Sequence, residues 1–199
     1  IFALGVWLLT YSFGSLVGAL MGYLGGKTDL FASRVIEVIE STPSFFVLIT
    51  MIAIFEPSLP LLIILSVMFG WMTISSYMRG QFLQLRKREY VEAARALGSS
   101  HWRIVVKHIL PNALTPIITL SPFAIAAEVL SLSTLDYLGL GLRAPTPSWG
   151  ELLSQAQKYF TIAEWLVWYP SAILLLTLVL LINIGQAIRD AFDARSSVG

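Results

Sequence analysis

Few side chains in this 199-residue chain have types and spacings that could do chemistry, and each set meets an obstacle. Glu37 and Glu40 stand one helical turn apart, which is how two carboxylates come to share one helix face. No nucleophile or metal ligand lies near them in sequence, and Arg34, three residues before Glu37, offers a local ion pair instead. His101 and His108 are the only histidines. No Asp, Glu or Cys stands between them at ligand spacing, so a surface or interface role suits them better than a metal site. Gly25-Gly26-Lys27-Thr28 ends like a phosphate-binding loop, but that loop needs a Gly five residues before Gly26, where Met21 stands. It also needs a preceding strand, and the preceding residues read as an apolar helix. This chain is therefore not expected to hydrolyse ATP itself. Gly-x-Ser-x-Gly, His-Glu-x-x-His and dinucleotide-binding patterns are missing, and without cysteine neither disulfides nor thiolate metal sites can form. No catalytic residue, metal ligand or resident cofactor is assigned.

The elements that would carry these residues belong to a membrane. Hydrophobic residues make up 56% of the chain and charged residues 13%, about half the share usual in soluble domains, and the mean hydropathy is +0.76. Five apolar segments predict five transmembrane helices, near residues 2–24, 35–55, 59–78, 114–135 and 166–188. In the first, Gly14, Gly18, Gly22 and Gly26 recur every four residues, a small-residue stripe that lets a second helix approach closely. The plainer reading is the ordinary glycine content of membrane helices. Residues 27–34 read as a polar loop, Pro43 as a kink in the second span and Glu56-Pro57 as its outer turn. Pro116 and Pro122 interrupt the fourth span, which also holds Glu128, the one ionisable residue deep in an apolar run. Such a carboxylate faces a bundle interior or a water-filled path by default, which makes Glu128 a candidate path residue. A structural Glu bonded to a neighbouring helix fits equally well. Trp149, Trp165, Trp168 and Tyr169 suit an interfacial aromatic belt, and Asn183 and Gln186 could hydrogen-bond between helices.

Residues 86–111 form the polar exception. Arg86, Lys87 and Arg88 at mid-membrane would cost roughly 3 kcal/mol each, so this stretch must lie outside the bilayer. Residues 88–97 predict a short helix, which Gly98 ends in the left-handed conformation. Ser99 or Ser100 then caps a second helix, with Trp102, Val105, Val106 and Ile109 as its apolar stripe, until Pro111 turns the chain back to the membrane. If this side is cytoplasmic, all of the thirteen basic residues except Arg143 and Lys158 lie on it, as the positive-inside rule requires. The same rule explains the basic residues around Trp102 without nucleic acid as a partner. The first span then enters from outside, so a further spanning helix upstream of Ile1 is expected.

Glu92-Ala93-Ala94, Gly98 six residues after the Glu, and Leu110-Pro111 resemble the EAA loop in the permease subunits of binding-protein-dependent ATP-binding cassette (ABC) importers. The family pattern often has Ile where His108 stands. His-Ile-Leu-Pro-Asn at residues 108–112 is similar to the oligopeptide, dipeptide and nickel branch, as are Gly139-Leu140-Gly141, residues 145–150 and Arg189-Asp190-Ala191-Phe192-Asp193. The resemblance covers nearly the whole chain and implies an all-α, polytopic, MetI-like transmembrane domain over residues 1–199. It implies Glu92, Ala93, Ala94, Gly98, Leu110 and Pro111 as the positions that couple to a separate ATPase subunit, which would carry ATP and Mg. It further implies a second, homologous permease subunit, an extracytoplasmic solute-binding protein and a multi-pass place in the bacterial inner membrane, with the EAA loop and C-terminus cytoplasmic. Short peptides are the expected cargo, with nickel or another small solute as the alternative. A secondary transporter independent of ATP would be expected to show internal repeats and several mid-membrane ionisable residues, and only Glu128 is seen.

Overall fold

The computed structural model describes residues 1–142 and 145–196, with side chains as far as residue 191. Arg143 and the side chains of Phe192, Asp193 and Arg195, which the topology and resemblance arguments use, lie outside the described residues. Among those described, the regular structure is entirely helical.

Helix α1 (Phe2–Leu24) coincides with the first expected span. It stops at Gly25 and Gly26, which take φ of +63° and +57°, a left-handed pair that side-chain-bearing residues resist. The expected loop at 27–34 is instead part of α2 (Gly26–Glu40). Its polarity does not preclude a helix, because two of its residues find buried partners. Ile36 packs with Met21 and Met72, and Asp29 is tied to Arg79. Ser41 to Pro43 then break the chain, and α3 (Ser44–Ile54) leaves at 63° to α2. Eleven residues rise only about 17 Å, short of the roughly 30 Å hydrocarbon core, so α3 cannot span alone.

Helix α4 (Leu59–Leu85) extends beyond the expected end at residue 78. Its 27 residues rise about 40 Å, long enough for the end bearing Arg79 to stand clear of the hydrocarbon. Helices α5 (Glu89–Ala96) and α6 (His101–Arg103) follow, then a π-helical segment (Ile104–Ile109) and α7 (Leu110–Tyr137). Pro111 does not turn the chain, as its missing donor suggested. It falls in the first turn of α7, and the wide π-helical turns before it relieve the clash between its ring and the preceding carbonyls. Pro116 and Pro122 are likewise accommodated inside α7. Helices α8 (Trp149–Lys158) and α9 (Trp165–Ser196) complete the chain. Among the described residues, four stretches are long and apolar enough to cross a membrane: α1, α4, residues 101–137, and α9 as far as Ala191; the bent α2–α3 pair makes a fifth if the two helices count as one span.

The chain divides into two compact units. One comprises residues 8–44 and 67–119. Within it, Gly14, Gly18 and Gly22 bring α1 against the backbone of α4: a Cβ on Gly14 or Gly22 would stand 2.6 Å from the carbonyl oxygen of Trp71 or Arg79. Gly26, the fourth glycine of the stripe, meets nothing. Met78 and Phe82 of α4 are buried with Val91, Ile104, Ile109, Ala113 and Ile117 in one core. The other unit comprises residues 1–7, 45–66 and 120 onward. There Gly185 of α9 lies against the ring of Phe123 on α7. The loop before α8 is anchored by Asp136, whose Oδ1 accepts from the Leu142 N–H at 2.6 Å, and α8 is capped by Ser148 Oγ, which accepts from the Glu151 N–H at 3.1 Å.

Candidate functional site

Residues 86–111 build a surface whose two faces differ. Glu89 and Glu92 occupy the first turn of α5 and Arg95 its last, each on the favourable end of the helix dipole. The helix ends in a Schellman turn: the Ser99 N–H donates to the Ala94 carbonyl and the Gly98 N–H to the Arg95 carbonyl, both at 3.0 Å. Gly98 takes φ of +77°, as its place in that turn requires. Ser100 Oγ then accepts from the Arg103 N–H at 3.4 Å and starts α6.

On the inner face, Val91, Ala94, Ile104 and Ile109 are buried. On the outer face, Leu97 is 87% exposed and Trp102 76% exposed, one on each side of Gly98. This revises the expected stripe. Ile104 and Ile109 supply the inward contacts, Val105 is partly buried, and Trp102 and Val106 are exposed. The π-helical register explains the change, because the facing residues there are set by a wider turn than the 3.6-residue period assumed.

The predicted coupling positions fall into two groups. Glu92, Ala93 and Gly98 are exposed, as is Pro111, whereas Ala94 and Leu110 belong to the packed side. Glu128 lies in the other unit, half-buried on α7, with no hydrogen-bond or ion-pair partner among the described residues. Glu37 pairs with Arg34 at 2.6 Å on the exposed side of α2, as the spacing suggested. His101 Nδ1 shares a 2.6 Å hydrogen bond with the Tyr23 hydroxyl, so this imidazole is engaged with α1. Among the described residues, no three His, Asp or Glu converge as metal ligands.

Sequence reasoning missed three attachments in this unit. Asp29 and Arg79 form a two-pronged ion pair, with Arg79 Nη2 donating to Asp29 Oδ2 at 2.7 Å and Arg79 Nε to Oδ1. Arg86 Nη1 donates to the Gly22 and Tyr23 carbonyl oxygens at 3.0 Å each and so caps the C-terminus of α1. Tyr23–His101 is the third. Each joins residues 50 or more positions apart, and no local period could have revealed them.

The chain thus combines long apolar helices with one basic helix–turn–helix that presents exposed apolar residues. Residues 14–198 match the profile of the "Binding-protein-dependent transport system inner membrane component" family, and the chain belongs to it. It is 40% identical to the "Inner membrane ABC transporter permease protein YejE" of Escherichia coli strain K12, over 100% of this chain and 58% of that protein. It is 39% identical to the "Peptidoglycan transport system permease protein YejE" of Agrobacterium fabrum, over 92% of this chain and 48% of that protein. It is 35% identical to the "Oligopeptide transport system permease protein OppC" of Haemophilus influenzae, over 94% of this chain and 60% of that protein. The chain thus spans about half to three fifths of the length of these curated relatives. Its fold is similar to a chain of the MetNI methionine ABC transporter in an inward-facing conformation, with a TM-score of 0.59 at 18% identity, over 95% of this chain and 92% of that one.

Proposed function

We propose that the chain is part of the permease subunit of an ATP-driven importer, that it forms a transmembrane path for short peptides, and that it receives its driving force through residues 86–111. The carrying observation is the two-faced loop: its inner residues are locked into the core, while Leu97 and Trp102 stand exposed around a rigid turn. Exposed apolar side chains on either side of a tight helix–helix turn suit insertion into a groove on a partner. That partner is a separate ATPase subunit that binds ATP and Mg. Glu92, Ala93 and Gly98 would lie at the contact, with Ala94 and Leu110 setting its backing and Pro111 the start of the helix behind it. A second permease subunit would complete the path, with Glu128 as the candidate residue facing it, and an extracytoplasmic solute-binding protein would deliver cargo. The names of the relatives, which include oligopeptide and peptidoglycan transport systems, support cargo containing short peptides.

The test is cargo uptake by cells carrying full-length protein with Glu92→Lys or Gly98→Val. Both variants should reach the membrane in normal amount and lose uptake. Normal uptake by both would end the coupling assignment.

A further inference from the structure

We propose that Tyr23 is the residue through which movement of the coupling loop enters the membrane helices, with His101 and Arg86 as its two grips. This rests on the coupling role proposed for residues 86–111. The loop helix α5 is flanked by two attachments, one on each side in sequence, and both end on the same residue. Before α5, Arg86 donates to the backbone carbonyl of Tyr23 and to that of Gly22, both at 3.0 Å. After α5, His101 holds the Tyr23 hydroxyl at 2.6 Å, with the two rings edge to face at 5.9 Å between centroids.

A helix fixed at two flanking points to one residue cannot shift without pulling that residue. Tyr23 is well placed to pass the displacement on. It stands in the last turn of α1, and the preceding glycines put α1 in direct backbone contact with α4, so neither helix can slide without the other. Arg79 of α4 in turn holds Asp29 at the start of α2. Displacing α5 should therefore move these parts of α1, α4 and α2 together.

The test uses the assembled transporter with full-length chain in liposomes, reading cargo taken up per ATP hydrolysed. Tyr23→Phe removes only the hydroxyl, and His101→Phe removes its partner while keeping a ring. Each should lower the uptake-to-ATP ratio about tenfold, the worth of one hydrogen bond, and the double variant should be no worse than either single. An unchanged ratio would overturn the proposal. If the variants instead impair assembly, a second measurement decides. These 199 residues hold no cysteine, so in an assembly cleared of any cysteine elsewhere, Tyr23→Cys with His101→Cys can be joined selectively by a short bifunctional thiol reagent. The link replaces the lost hydrogen bond, so uptake should recover relative to the unlinked cysteine pair, whereas uptake blocked by the link would mean that the two residues must separate, which contradicts the relay. Gly98→Val serves as the control. Normal uptake by Gly98→Val and Glu92→Lys removes the coupling role itself, whereas their failure alongside an intact Tyr23→Phe ratio removes the relay alone.

Discussion

At the scale of single residues, charge and backbone conformation matter most. The Asp29 side chain is only 10% exposed and leans on Arg79 for its counter-charge. Arg79→Met would leave a carboxylate with little solvent and only the more distant Arg86 for a cation, a change that costs about 1–3 kcal/mol for a part-buried pair. In thermal unfolding of the detergent-solubilised protein, Arg79→Met should lower the midpoint clearly, and the reversed pair Asp29→Arg with Arg79→Asp should recover part of the loss. Gly98 poses a different problem. A Cβ there meets no atom within 4 Å, so the penalty for a side chain lies in the backbone, about 1–2 kcal/mol for a residue held left-handed. Asn tolerates that conformation better than β-branched Val. Gly98→Asn should therefore retain cargo uptake where Gly98→Val loses it, and equal loss in both would point to a contact made by the glycine surface itself.

At the scale of elements, the sequence was informative at several local signals, though not at Pro111, which lies inside α7. The glycine spacing at 14, 18 and 22 anticipated the α1–α4 contact, Pro43 marked the break between α2 and α3, and Gly98 marked the loop turn. It misled where polarity stood in for structure. Residues 27–34 looked like a loop because they carry charge, yet Asp29 and Ile36 earn their helix through partners on other segments. Period counting placed Trp102, Val105, Val106 and Ile109 on one stripe; Ile109 is buried and Val105 partly so, but Trp102 and Val106 are exposed, because the chain adopts π-helical turns ahead of Pro111 where α-helical ones were assumed. The glycine contact makes a prediction of its own. Gly18→Leu must displace α4 or distort α1, at about 1–3 kcal/mol or more for overpacking, whereas Gly26→Asn faces open space and suits its positive φ. Protease resistance of the solubilised protein should fall for the first and hold for the second. Similar resistance in both would mean that the α1–α4 approach is not tight in the membrane.

At the scale of the whole molecule, charge is the argument for the proposed orientation. Insertion scales charge about 3 kcal/mol for each Lys or Arg carried to mid-bilayer, and Arg86, Lys87, Arg88, Arg95, Arg103 and Lys107 cluster within one short stretch. With that stretch placed in the cytoplasm, as proposed, residues 101–137 would carry the chain across, being long and apolar enough to span. The loop before α8 would then emerge on the far side, and α9 would return. Ala93 and Thr146 are both exposed, and these 199 residues hold no cysteine, so in a background cleared of any cysteine elsewhere a single introduced cysteine reports its own position. With a membrane-impermeant maleimide, Thr146→Cys should label in intact spheroplasts and Ala93→Cys only in inside-out vesicles. If both react from the same side, residues 101–137 do not cross as one span. The loop and residues 145–150 would then lie on one side, so this labelling result bears on the proposed contact of the loop with a cytoplasmic ATPase as well as on the topology.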